Sequence, residues 1–371
     1  MIYFDHAATT PVHDEVLSAM LPYFSLRFAN ASGSYAQARE ARAALDRARS
    51  EVAAAIGAKP AEIYFTSGGS EADNWALMGA ASAHPHKKHI ITTAIEHHAV
   101  LHTCQALEKH GYEITYLPVD ALGRVAPEVF AQVIRPDTLI ASVMMANNEV
   151  GTIEPIAQLS EIAHARGVLM HTDAVQAVGH IPVDVGLLGV DMLSMSAHKF
   201  GGPKGCGALY VRNGVRLDNL IYGGAQERSM RAGTENVPAV VGMGKAIAIA
   251  HKNMDEHAQK TAALRDELQE RLMQLGGIRV NGDQEKRLPG HLHVSVDGVN
   301  TSMMLMRLDM AGIAVSAGSA CTSGAAERSH VIQAMGLASE NHADIRFSLS
   351  ENNTIQEITA AEEAIRRILK R

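Results

Sequence analysis

No run of eighteen apolar residues occurs in this sequence, which excludes a helix spanning a membrane. The first residues, Met1-Ile2-Tyr3-Phe4-Asp5, lack the basic and then apolar layout of a secretory leader, so a cytoplasmic chain is expected. Cysteine is scarce: Cys104, Cys206 and Cys321 are too few and too scattered for a disulfide framework or a four-cysteine zinc site. Positive charge is not in excess either. A formal net charge of -7 argues against a protein whose task is to grip nucleic acid. Internal repeats and low-complexity segments are also missing. What is present is 371 residues, 47% apolar and 20% charged, the composition of a globular enzyme with room for two domains.

Periodicity organises the chain. Ala41, Leu45, Ala48, Val52 and Ile56 recur at steps of three and four, so residues 36–56 read as a helix stopped by Gly57. From Ile63-Tyr64-Phe65-Thr66 onward, strands alternate with helices. Strands are expected at His89–Thr93, Glu113–Leu117, Leu139–Met144, Val168–Met170, Met192–Met195 and Ala208–Val211. Helical patterns over Val100–Lys109 and Ile156–Ala165 separate them. That alternation predicts a mostly parallel sheet with helices on both faces. The last third differs: a charged amphipathic helix over about Met254–Leu275 precedes short strands and a final helix. Thr354 and Glu357 form a capping box at the start of that helix. Residues 15–250 therefore read as a large α/β domain, with 1–14 and 251–371 as a smaller α+β one.

Ligands of open parallel sheets bind beyond the carboxyl ends of the strands, and here those ends carry chemistry. Ser67-Gly68-Gly69-Ser70-Glu71 is a glycine turn running into a helix, suited to a phosphate. Further strand ends carry Glu96-His97-His98, Asn147-Asn148-Glu149, Asp173 with Gln176, and Ser196, His198 and Lys199. Each has a plain structural explanation: a turn, a helix start, an N-cap, a satisfied loop amide. His98 and His102 at i, i+4 invite a zinc reading, but HExxH and an acidic third ligand are absent, and no metal is expected. Jointly, the strand ends offer a phosphate cradle, an anion for a pyridine nitrogen, an imidazole for a ring face and an amine for an aldehyde. Those are the requirements of pyridoxal phosphate, bound to Lys199 as a Schiff base.

The motifs resemble the class V, fold-type I pyridoxal phosphate enzymes, and within them the cysteine desulfurases of the NifS/IscS type. The carriers are Tyr3–Pro11, Phe65–Asn74, Glu96–Val100, Asn147–Gly151, Asp173–Gln176, Ser194–Gly205, Met230–Thr234 and, most diagnostic, Ser316-Ala317-Gly318-Ser319-Ala320-Cys321-Thr322-Ser323. The resemblance implies a seven-stranded sheet in a large domain, a small α+β domain, and a homodimer with shared sites. It implies that Lys199 anchors the cofactor and moves protons, and that His97 stacks on the ring. Asp173 would pair with the ring nitrogen, and Asn148 and Gln176 would reach its phenolic oxygen. Gly69, Ser70, Ser196 and His198 would hold the phosphate, with Thr234 arriving from the partner subunit. Arg346 would clamp the substrate carboxylate, with Asn30 on the substrate side. Cys321 would take sulfur from L-cysteine as a persulfide, releasing L-alanine, and pass it to an acceptor protein for iron–sulfur assembly or thio-modification. It could also ligate an iron–sulfur cluster transiently.

Three departures bear on that expectation. Asn30-Ala31-Ser32-Gly33-Ser34-Tyr35 lacks the Pro and His of the usual Asn-Pro-Ser-Ser-x-His. Leu349-Ser350-Glu351 replaces Leu-Gly-Arg, removing a positive charge expected near the substrate. The chain closes at Arg371 without the long tail that some relatives use to dock a scaffold, so weaker or different acceptor recognition is expected. Rival readings are another class V activity, a selenocysteine lyase or an aminotransferase, and a non-catalytic sulfur-trafficking scaffold.

Overall fold

Short apolar runs punctuated by glycine give strands here because both faces of each run can be covered. In the computed structural model, which describes residues 1–318 and 328–369, twelve strands are formed. They are β1 (Ile2–Tyr3), β2 (Ile63–Thr66), β3 (His89–Thr93), β4 (Glu113–Leu117), β5 (Thr138–Ser142), β6 (Leu169–Asp173), β7 (Met192–Ser196), β8 (Gly207–Val211), β9 (Ile278–Asn281), β10 (His291–Asp297), β11 (Ile313–Ala314) and β12 (His342–Ser348). Cys321 lies outside the described residues.

The main sheet has seven strands in the order β2-β8-β7-β6-β5-β3-β4. Only β8 runs against its neighbours; the pairs among β3, β4, β5, β6 and β7 are parallel. Alternate residues serve opposite cores. Ile91, Ala141 and Leu193 enter one cluster, while Ile90, Ile140 and Met192 enter the other. This period of two is what a strand buried on both faces produces. The expected strands all form, with shifts of one to three residues at their ends. The shift in β6 makes Asp173 its last residue.

A second sheet, β12-β10-β9, is antiparallel and backs a separate core that includes Phe4, Leu268, Leu272, Ile345, Phe347 and Ile365. β1 pairs with β11 beside it. The amphipathic helix expected from Met254 is the second half of a 37-residue helix, Val237–Met273, about 55 Å long at 1.5 Å per residue. Its first half escaped the sequence reading because glycines interrupt the apolar pattern. Gly244 is there for packing: a Cβ on it would lie 2.6 Å from the Cα of Ala48 in the helix Ala36–Ala55. Met243 and Ile247 of this long helix join the main core, and Leu268 and Leu272 the second one. One rigid rod thus ties the two cores. Among the described residues no helix is long and apolar enough to cross a membrane.

Candidate active site

The carboxyl ends of β2, β3, β5, β6 and β7 converge on one cavity of about 210 Å³. Gly69, Ser70, His97, Asn148, Asp173, Gln176, Ser196, His198, Lys199 and Arg346 all line it, so ten of the residues singled out above meet in one place. Two do not. Thr234 is exposed and away from its own chain's cavity, and Asn30 is exposed with its Oδ1 accepting from the Ser32 amide at 2.9 Å.

Gly69 opens the 15-residue helix Gly69–Ala83, whose first amides have no helical acceptor. A side chain there is not tolerated, because its Cβ would meet Val175 Cγ2 at 2.6 Å and Ser196 Cβ at 3.7 Å. The space a Cβ would fill is the cradle between the turn, Val175 and β7. Free amides, a helix dipole and the Ser196 hydroxyl fit a phosphate. His198 flanks them, its Nδ1 3.2 Å from Thr9 Oγ1; burial and then the Lys199 charge hold its pKa down at about 4.

The lysine loop is held by the chain's first residues. Lys199 Nζ donates to the carbonyls of Ala7 at 2.5 Å and Ala8 at 3.0 Å. Thr10 Oγ1 donates to the His198 carbonyl and accepts from the Gly201 amide, each at 2.9 Å. His180 Nε2 donates to the Lys199 carbonyl at 2.9 Å. Gln176 Nε2 reaches the Ala7 carbonyl at 2.9 Å, so it too supports this wall.

Asp173, 6% exposed, has one carboxylate oxygen accepting from the Val175 amide at 2.9 Å. Burial raises its pKa and the Lys199 charge opposes that rise. His97 caps the helix His98–Glu108, Nδ1 accepting from the Ala99 amide at 3.1 Å, which leaves the ring proton on Nε2. Burial first, and the nearby Lys199 charge second, lower its pKa to about 4, so the ring is neutral at ordinary pH. A flat neutral imidazole, a buried carboxylate and an amine suit an aromatic aldehyde with a basic ring nitrogen.

Arg346 comes from the other core. It is 1% exposed, and its guanidinium donates to the Asn148 carbonyl at 2.9 Å and to Asp5 Oδ1 at 2.7 Å, leaving Nε without a partner among the described residues. Its backbone exchanges hydrogen bonds with Ser316, on the approach to residues 319–327. The flanks of that stretch meet at Glu149: a Cβ on Gly318 would lie 3.0 Å from its carboxylate, and the Ser329 hydroxyl donates to it.

Two residues of this site were missed by the sequence reading. Asp5 was noticed only as part of a motif, yet it orients Arg346. Asp73, likewise only part of a motif, was given no role although it follows Gly69 by four, a spacing that puts both on one helix face. The described cysteines are inert: burial pushes the thiols of Cys104 and Cys206 up to about 12. Of the departures, Tyr35 is exposed and leads the helix Ala36–Ala55. Glu351 faces a neighbouring cavity of about 390 Å³ and lies 4.0 Å from His257.

Comparison with known proteins identifies the family. The sequence matches the family described as aminotransferase class-V over residues 2–360. It is 48% identical to "Cysteine desulfurase IscS" of Methanosarcina thermophila, over 100% of this chain and 92% of that one. Among solved structures, a "NIFS-LIKE PROTEIN" superposes with a TM-score of 0.94 at 39% identity, covering 99% of both chains. Another, "SspA in complex with cysteine", gives 0.85 at 35% identity over 95% of this chain and all of that one. By sequence, fold and the residues gathered at its strand ends, the chain belongs to the aminotransferase class-V family, among relatives of the NifS and IscS type.

Proposed function

We propose that the protein is a cysteine desulfurase that uses pyridoxal 5'-phosphate, anchored at Lys199, to move sulfur from L-cysteine to Cys321. The observation that carries this reading is the single cavity shared by Lys199, Asp173, His97, the Gly69 cradle and Arg346. When bound, pyridoxal phosphate supplies an electron sink for charge left at the substrate Cα. The amides of Gly69 and Ser70, with Ser196 and His198, would hold its phosphate, and Asp173 its ring nitrogen. His97 would cover the ring, and Asn148 and Gln176 would bind the ring oxygen. Thr234 completes the cradle from the second subunit of a homodimer.

Arg346 takes the substrate carboxylate with N–H groups not spent on Asp5 and Asn148. Lys199 Nζ removes the Cα proton and returns protons to carbon. The Cys321 thiolate attacks the substrate Sγ: an S–S bond forms, the Cβ–S bond breaks with its electron pair left on carbon, and Cβ gains a proton. The products are L-alanine and a persulfide on Cys321, from which an acceptor protein removes sulfur. Burial of Cys104 and Cys206 supports Cys321 as the thiol concerned. On a division into residues 15–250 and 1–14 with 251–371, Arg346 and Cys321 would belong to one body and the cofactor residues to the other.

The test is Cys321→Ala. Cysteine-dependent alanine formation should fall to background while the visible absorbance of the loaded protein persists, and Lys199→Ala should lose both. Alanine production that survives Cys321→Ala would point to a transaminating or lyase activity. A protein that stays colourless with added cofactor would point to a non-catalytic scaffold.

A further inference from the structure

Behind Asp173 lies a second buried carboxylate that no step above uses. Asp73, on the helix Gly69–Ala83, is 1% exposed and borders the same cavity. Ligand-type atoms of Asp73, Asp173 and His97 all lie within 4.8 Å of one another. Two ionised carboxylates this close and this dry require a cation, and the described residues place none against Asp73. Its nearest basic group is His171, with Nε2 3.7 Å from Asp73 Oδ1. That ring is fully buried and neutral, its pKa lowered by burial to about 3. Ser142 Oγ lies 2.8 Å from His171 Nδ1, and Ser194 Oγ 3.0 Å from its Nε2. Among the described residues Asp73 Oδ1 has no hydrogen-bond partner.

The groups that face Asp73 are therefore Asp173 and His171 from β6, Ser194 from β7, and Glu96 and His97 beyond β3, with the Lys199 ammonium nearest Asp173. Only the first and the Glu96 carboxyl are acids, and both oppose ionisation of Asp73. Lys199 favours the charge on Asp173. We infer that Asp73 is a positioning residue: it keeps a proton as a neutral carboxylic acid against Asp173, so that the pair presents one negative charge, on Asp173, to the cofactor ring. Burial, and then the Asp173 charge, raise the Asp73 pKa well above its ordinary value, in agreement. A neutral acid can donate where a carboxylate cannot, and Oδ1, the oxygen without a partner, is free to carry that proton. The inference rests on the cofactor reading for its purpose but not for its detection.

The test uses full-length protein in two forms. In cofactor-free protein at neutral pH, infrared spectra should contain the carbonyl stretch of a protonated carboxylic acid that Asp73→Asn removes. Asparagine copies the shape and polarity of the neutral acid. Cofactor affinity and its pH dependence should therefore change by less than about threefold in Asp73→Asn, while Asp173→Asn should weaken binding by at least about tenfold. Circular dichroism checks that both variants fold. A spectrum without that band, or an Asp73→Asn protein that binds cofactor as poorly as Asp173→Asn, would overturn the inference. So would stoichiometric zinc uptake by the apoprotein that erases the band and is lost in Asp73→Asn, since a cation would then replace the proton. If wild-type protein takes up no cofactor, the reading of the previous section fails and the infrared result still stands or falls alone.

Discussion

Replacing Arg346 with lysine tests the substrate assignment without removing charge. In the native protein one N–H goes to Asn148 at 2.9 Å and another to Asp5 at 2.7 Å, which fixes the plane of the guanidinium. The N–H groups left over form a second fork for a carboxylate. An ammonium can still pair with Asp5, which limits damage to the fold, but it cannot present two parallel donors elsewhere. Losing one hydrogen bond to a charged group removes about 1.5–3 kcal/mol. That corresponds to roughly a ten- to 150-fold weaker hold on the substrate carboxylate at 1.36 kcal/mol per decade. Alanine formation measured against L-cysteine concentration should therefore show KM raised by that factor with kcat nearly unchanged, because this binding is common to ground and transition states. Urea melts should show that Arg346→Lys remains folded, whereas Arg346→Leu, which strands the Asp5 charge, should lose up to about 3–5 kcal/mol. A wild-type KM in a folded Arg346→Lys enzyme would refute the clamp. So would a fall in kcat alone.

Two further outcomes concern stability. Glu227 accepts two 2.7 Å bonds from Arg49 and a 3.0 Å bond from the Phe65 amide, all buried, and so pins residues 227–229, whose φ values of 45°, 58° and 67° are unfavourable for non-glycine residues. Glu227→Gln leaves Arg49 buried without a counter-charge and should cost about 3–5 kcal/mol in urea unfolding, with Arg49→Met in the same background recovering part of it. Glu154 is buried, accepts from the Val125 amide at 2.9 Å and has its other oxygen unpartnered; burial raises its pKa to about 8. The folded state thus holds this proton more tightly than the unfolded chain, so stability is full below about pH 4 for this group and falls as pH rises toward 8. Glu154→Gln should flatten that slope between pH 5 and 8, seen as a smaller loss of Tm, and an unchanged slope would assign the alkaline loss elsewhere.

Much of the fold was legible because its strands are uniform apolar runs and its helices have clear stops. The capping box at Thr354 illustrates the point, with Thr354 N to Glu357 Oε2 at 2.9 Å and Glu357 N to Thr354 Oγ1 at 3.3 Å. The long helix Val237–Met273 was half missed because packing against Ala48 selects Gly244 there, and packing of that kind leaves no periodic signal.

The site divides in the same way. Chemistry that sits at strand ends can be read in order along the chain, so Lys199, Asp173, His97 and the Gly69 turn stand out from the sequence alone. The sequence by itself determined the strands, their order as alternating units and the residue types offered at each end, because those follow from local pattern. Only the tertiary structure decided that Arg346 and Asp5, 341 residues apart, pair at the edge of the cavity that Lys199 and Asp173 line. It also decided that Asp73 lies close to Asp173 with no cation placed beside Asp73 by the described residues, and that Cys104 and Cys206 are buried. Those outcomes depend on burial and on distances across the sheet, which side chains acquire only when their neighbours exclude water.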